Sequence, residues 1–263
     1  MSKRKDKKQA EALYANLLDM TSVSTPASGE EPPGSSISEQ GLASSEALSS
    51  FLEMEAQNPR QLVKMKKFRF QLLHQWMIDH LEPCRVADIG GGKGLLAYLL
   101  QQSGWEATVI DPVSQALPNK YKDMATGKQI HIAPTGRVPR IDQAFEPEVA
   151  QSFELLVAMH AHGCTIKIIE AAAHFGRSFI LLPCCIIDEP LYPPLGVHWL
   201  QCVIDYAMRQ GFTVHPFRLN FKGQNISFYA RPTNCASSSG AIGTRPFQKT
   251  QAQSWSNKPA AWG

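Results

Sequence analysis

Arg85-Val86-Ala87-Asp88-Ile89-Gly90-Gly91-Gly92-Lys93-Gly94 joins a short apolar run to an acid and then to a cluster of glycines. Up to Asp88 the residues suit a buried strand, and beyond Gly94 the spacing of Leu95, Leu96, Tyr98, Leu99 and Leu100 predicts a helix packed on a sheet. A strand, a glycine turn and a helix N-terminus make a nucleotide cradle. Glycines lack a Cβ, so the backbone bends tightly and approaches a ligand, while the first helical N–H groups meet its polar atoms.

Two phosphate-binding patterns fail on this stretch. A dinucleotide fingerprint needs Gly-x-Gly-x-x-Gly, but counting from Gly90 and Gly92 the third position falls on Leu95. A P-loop needs Ser or Thr after its Gly-Lys pair, and here Gly94 follows Lys93. What remains is Asp-x-Gly-x-Gly-x-Gly, carried by Asp88, Gly90, Gly92 and Gly94 with Gly91 inside it. This pattern resembles the first motif of class I S-adenosylmethionine-dependent methyltransferases, whose ligand carries no phosphate.

A second acid sharpens the reading. Ala107-Thr108-Val109-Ile110-Asp111-Pro112 is another β-rich run closed by a carboxylate, at about the 20-residue offset where an acid meets ribose hydroxyls in nucleotide folds. A carboxylate accepts from both hydroxyls at once. Alone, Asp111-Pro112 would mark no more than a strand end; after this glycine loop the ribose role is the better reading. The resemblance implies S-adenosyl-L-methionine as cofactor, bound by Asp88, Gly90, Gly91, Gly92, Gly94 and Asp111.

With 263 residues and 43% hydrophobic content, the chain can bury one sizeable core. Residues 1–50 read as a basic head, a short amphipathic helix over Ala10 to Met20, and a Ser/Pro-rich linker too polar to order itself. The folded domain is expected over 51–232, and 233–263 reads as a disordered tail. Net charge is only +3, so the chain as a whole does not advertise a polyanion partner. Arg60, Lys64, Lys66, Lys67 and Arg69 crowd before the first strand, either as a solvated helix face or as a phosphate-binding patch. No apolar run approaches the ~18 to 20 residues that span a bilayer, and the lysine-rich start lacks a signal peptide's apolar core. The expectation is a soluble, cytoplasmic protein with no membrane contact and no evident obligate protein partner. Six cysteines without framework spacing read as reduced thiols.

After residue 85 strands and helices alternate, which predicts a parallel sheet with crossover helices. Strands are expected at 85–90, 107–112, 153–159 and 178–183, with helices at 94–103, 167–174 and 198–210. The Pro- and Gly-rich region 114–148 offers one short candidate strand at Gln129 to Ala133, as a ragged third unit. Thr213 to Phe221 and Asn225 to Ala230 flank Lys222-Gly223-Gln224, a hairpin signal. A helix from Gln61 to His80, with Leu62, Met65, Phe68, Leu72, Leu73 and Trp76 on its apolar positions, would cover the sheet. The expected architecture is thus Rossmann-like α/β: a mostly parallel seven-stranded sheet ending in an antiparallel hairpin, with helices on both faces. The methyltransferase resemblance spans roughly residues 85 to 231.

Ligands of open α/β sheets bind beyond the carboxyl ends of the strands. Those ends carry Asp88 to Gly94, Asp111, His160-Ala161-His162-Gly163-Cys164 and Pro183-Cys184-Cys185. Three readings compete for the histidines and cysteines. His160 or His162 takes a proton from the acceptor as the methyl transfers, and His160, His162, Cys184 and Cys185 are the candidate catalytic set. A zinc site at the same four residues is the second reading, but metal is not the expectation, since adjacent cysteines rarely chelate one ion together. The third is structural: cysteine packs as a small hydrophobe and histidine caps loop carbonyls.

The histidine turn and the Cys-Cys pair resemble a methyltransferase superfamily that includes tRNA ribose 2′-O-methyltransferases. In those relatives the turn reads His-x-Cys-Gly, where this chain has His160-Ala161-His162-Gly163. Pro183-Cys184 also resembles RNA cytosine-C5 methyltransferases, but their second acidic motif is missing. Lys120, Lys122, Lys128, Arg137 and Arg140 read either as facing an anionic or nucleic-acid acceptor or as ordinary surface, and the loop from Asp188 to His198 as shaping the acceptor's choice. The implied function is methyl transfer to an unidentified acceptor, RNA slightly ahead of a small molecule. The alternative is a non-catalytic nucleoside-binding or scaffolding module on the same fold.

Overall fold

Each apolar run becomes a strand and each amphipathic stretch a helix laid across it. The computed structural model describes residues 2–22, 68–221 and 223–233. Before the sheet come α1 (Ser2–Ser22) and α2 (Arg69–His80). The core units are β1 (Arg85–Ile89), α3 (Leu95–Gln102), β2 (Glu106–Ile110), β6 (Leu155–Met159), α4 (Thr165–Phe175) and β7 (Ser178–Leu182). Between β2 and β6 lie three short strands, β3 (Lys120–Lys122), β4 (Gln129–His131) and β5 (Arg140–Ile141), and a 3-10 helix at Pro147–Ser152. The chain closes with α5 (Trp199–Arg209), β8 (Phe212–Arg218) and β9 (Ile226–Pro232).

Seven strands form one sheet in the order β5-β2-β1-β6-β7-β9-β8. Strands β5, β2, β1, β6 and β7 run parallel, while β9 pairs antiparallel with both β7 and β8. This is the class I methyltransferase fold. The central strands are buried on both faces, as parallel sheets demand; all five residues of β6 are buried. Alternation splits their side chains between two layers. Ala87, Ile89, Leu156 and Ala158 pack with α4, α5 and Leu17 of α1, whereas Val86, Val109, Leu155 and Val157 pack with Leu73, Trp76 and Met77 of α2 and Leu96 and Leu100 of α3.

Two expectations change. The third strand of the sheet is the two-residue β5, not the run at Gln129 to Ala133, which pairs with β3 in a separate hairpin. Gln71 of α2 fixes that hairpin, donating to the Lys122 carbonyl at 2.8 Å and accepting from Met124 N–H at 2.7 Å. The amphipathic helix expected at 10–20 runs from Ser2 to Ser22 and buries Leu17 completely in the core. The linker at 23–50, the boundary at 51, most of the basic run at 60–69 and the tail from 234 lie outside the described residues. Among the described residues, no helix is long and apolar enough to cross a membrane.

Candidate functional site

Strands β1 and β6 are neighbours, and from them the chain proceeds in opposite directions across the sheet, β1 to β2 on one side and β6 to β7 on the other. At such a switch point a crevice opens beyond the carboxyl ends. The glycine bend follows β1, Asp111 follows β2, His160 to Cys164 follow β6, and Pro183 to Cys185 follow β7. All of the residues expected at the site therefore share one edge of the sheet.

Asp88 is the penultimate residue of β1 and is only 2% exposed. Its Oδ2 is buried without a hydrogen-bond partner. Burial pushes its carboxyl up to about 7; the Ala97 backbone and Arg140 oppose the rise and the nearby Asp111 charge adds to it. Directly above lies Gly91, where a Cβ would sit 2.5 Å from Asp88 Oδ2, so no side chain fits. Gly92 differs. Its φ is 54°, and a Cβ there would meet only Gln115 Nε2, at 3.8 Å. The bend thus has a closed side, filled by Asp88, and an open side at Gly92.

Asp111 seals the other flank. Its Oδ2 accepts from Gly92 N–H at 2.9 Å and its Oδ1 from Val113 N–H at 2.9 Å. An ionised carboxylate has about four acceptor positions, so two remain beyond these bonds. Arg140 completes the frame by donating Nη1 to the Gly92 carbonyl at 2.7 Å, Nη2 to the Val113 carbonyl at 3.1 Å and Nε to Asp142 at 3.0 Å. Its guanidinium is thus a clamp between the two loops and does not face an acceptor, contrary to the sequence expectation. Lys120, Lys122, Lys128 and Arg137 are exposed.

His162, Cys184 and Cys185 form one group, their ligating atoms all within 4.8 Å of one another. His160 is not part of it. His160 takes a left-handed φ of 59° at the end of β6, donates its N–H to the Leu182 carbonyl at 3.1 Å and meets the Phe221 ring edge-on. Burial, reinforced by Cys185, pushes the Cys184 thiol up to about 11. A nucleophilic thiolate needs the opposite shift. Burial likewise raises Cys164, to about 12.

Glu189 gave no sequence signal, because no local pattern pairs it with a helix 23 residues earlier. It is 3% exposed, and its carboxylate accepts from Thr165 N–H at 2.8 Å and Ile166 N–H at 3.1 Å. It thereby caps the N-terminus of α4 from a different loop, where the helix dipole favours negative charge. Glu189→Ala is expected to lower the unfolding free energy by ~1.5 to 3 kcal/mol, the worth of hydrogen bonds to a charged group. Urea denaturation measures it. Glu189→Gln, which retains one acceptor oxygen, should lose less; equal losses would mean that the cap contributes nothing beyond packing.

No family profile matches the chain, and no curated protein matches it in sequence. It is similar to solved structures at low identity. The ribosomal protein L11 methylase from Lactobacillus delbrueckii subsp. bulgaricus is 15% identical, over 62% of this chain and 77% of its own, with a TM-score of 0.38. The magnesium protoporphyrin IX methyltransferase from Synechocystis PCC 6803, solved with bound SAM, is 13% identical over 63% and 79%, with a TM-score of 0.39. A SAM-dependent methyltransferase from Archaeoglobus fulgidus is 15% identical over 64% and 97%, with a TM-score of 0.39. The fold assignment rests on the strand order and the closing hairpin of the sheet itself.

Proposed function

We propose that this chain is an S-adenosylmethionine-dependent methyltransferase. One observation carries the reading: two buried acids flank the glycine bend at the switch point, and one of them keeps an unpartnered oxygen. A phosphate at this bend would face two carboxylates. A nucleoside with hydroxyls on one side and positive charge on the other suits them instead. When bound, S-adenosylmethionine supplies an electrophilic methyl on a sulfonium sulfur. Gly90, Gly91, Gly92 and Gly94 would give the close backbone approach, Asp111 the acceptors for ribose hydroxyls, and Asp88 the support beneath the bend.

The rest of the transfer asks little of the chain beyond holding two reactants in line in a dry mouth. His162 is exposed at that mouth, and in the metal-free chain it is our choice for taking the acceptor's proton. The exposed Lys120, Lys122, Lys128 and Arg137 support an anionic acceptor, RNA before a small molecule, in keeping with the resemblance to tRNA ribose 2′-O-methyltransferases.

Calorimetry with S-adenosylmethionine and its demethylated product, followed by tritiated methyl transfer into RNA, protein and metabolite fractions, tests the reading. Absence of binding at millimolar ligand overturns it. Binding without incorporation into any fraction would favour a nucleoside-binding module. Asp111→Ala should weaken cofactor binding by ~1.5 to 3 kcal/mol, and because it also releases Gly92 and Val113 N–H, Asp111→Asn should be milder. If Asp111→Ala binds the cofactor like the parent, the ribose assignment is wrong.

A further inference from the structure

We propose that His162, Cys184 and Cys185 form a binding site for a zinc-class divalent ion, with three protein ligands and one position left open. Zn–S bonds of about 2.3 Å and Zn–N bonds of about 2.0 Å at tetrahedral angles put two sulfurs about 3.8 Å apart and a nitrogen about 3.5 Å from each sulfur. In this structure the two sulfurs are 3.7 Å apart. His162 Nδ1 lies 3.0 Å from Cys185 Sγ and 3.9 Å from Cys184 Sγ, bracketing the ideal edge, and Nε2 lies 3.6 Å from Cys184 Sγ. One ion can therefore reach both sulfurs and the imidazole with only small shifts.

Adjacent cysteines on a strand would point to opposite faces. Here β7 ends at Leu182, and residues 183–186 have left strand geometry, which lets both thiols turn to one side. The two loops that meet at the group are already fastened together. His160 N–H bonds to the Leu182 carbonyl, Glu189 holds the start of α4 just after the histidine turn, and a Cβ at Gly163 would lie 3.0 Å from that of Asp188. Such support is what fixes ligands in place before a metal arrives. Three protein ligands with exposed His162 match the open type of zinc site, in which water or a substrate atom completes the shell. Binding takes both sulfurs as thiolates and releases their protons to solvent.

The site also adjoins the glycine bend. A Cβ at Gly90 would sit 2.8 Å from the Ala161 side chain, so the turn carrying His162 packs directly on the loop after β1. The metal reading nevertheless stands without the methyl-donor reading, and its test uses no cofactor.

The full chain, stripped of metal by a chelator and kept reduced, is titrated with Zn²⁺ in competition with a chromogenic chelator, and separately with Co²⁺. One equivalent per chain is expected, with thiolate-to-cobalt charge-transfer absorption and the intense visible bands of a tetrahedral centre. Cys184→Ser and Cys185→Ser should each weaken binding at least tenfold and diminish the charge-transfer band, while Cys202→Ser, on α5, leaves both unchanged. Circular dichroism confirms that each variant is folded. No stoichiometric uptake, a pale octahedral cobalt spectrum, or parental affinity in both serine variants would overturn the proposal.

Discussion

Asp88→Asn should stabilise the chain by on the order of 4 kcal/mol at pH 8, and by almost nothing below pH 4. The figure is the free-energy equivalent of moving one carboxyl from its ordinary value of 3.8 to about 7. The folded chain keeps the Asp88 proton up to about pH 7, while the unfolded chain releases it near 3.8. Between those values the unfolded state binds fewer protons, so the contribution of Asp88 to stability is full at low pH and falls as pH rises through 7. Asparagine has the shape of the protonated acid and no charge to bury. Denaturant unfolding of both proteins at several pH values measures the gap, which should open between pH 4 and 7 and then stay constant. A gap that does not vary with pH would mean that Asp88 is ionised in the folded chain. In the methyltransferase reading asparagine keeps the support beneath the bend, so Asp88→Asn should be more stable and still bind S-adenosylmethionine.

Gly91→Ala carries the second large effect. Its new Cβ would fall 2.5 Å from Asp88 Oδ2 and 3.0 Å from the Asp88 carbonyl oxygen. Unlike the glycines beside it, Gly91 has no left-handed φ, so the cost is contact and not backbone strain. Forcing one methyl into such a space costs about 1 to 3 kcal/mol, and displacing the bend should also abolish cofactor binding. The pairing can be isolated. Asp88→Ala removes the carboxylate beneath the bend, so in a double-mutant cycle the two losses should sum to more than the loss of the double variant. Strict additivity would show that the bend relaxes away from Asp88 at no cost.

How much of this was legible in the sequence depends on the residue. The strand before Asp88, the glycine bend and the helix after Gly94 were readable because apolar period, glycine content and an acid all point the same way over ten consecutive residues. The third strand was not. Arg140 and Ile141 are too short a run to show a period, while Gln129 to Ala133 shows one and spends it on a two-stranded hairpin outside the sheet. Arg140 looked like a surface cation, since nothing near it in the chain indicates that the Gly92 and Val113 carbonyls lie within its reach. The strand ends correctly gathered His162, Cys184 and Cys185, but the separation of His162 from His160 is set by one left-handed residue, His160.

Leu17 is completely buried, and the helix that carries it packs against β8, the last strand of the sheet. A shortened chain beginning after residue 22 would leave the apolar face there uncovered, beside an outer row of backbone donors and acceptors that no further strand among the described residues satisfies. Those are the two ingredients for pairing edge to edge with another copy. The helix that carries Leu17 therefore covers this part of the apolar face, and a chain shortened past it is expected to self-associate more than the full one.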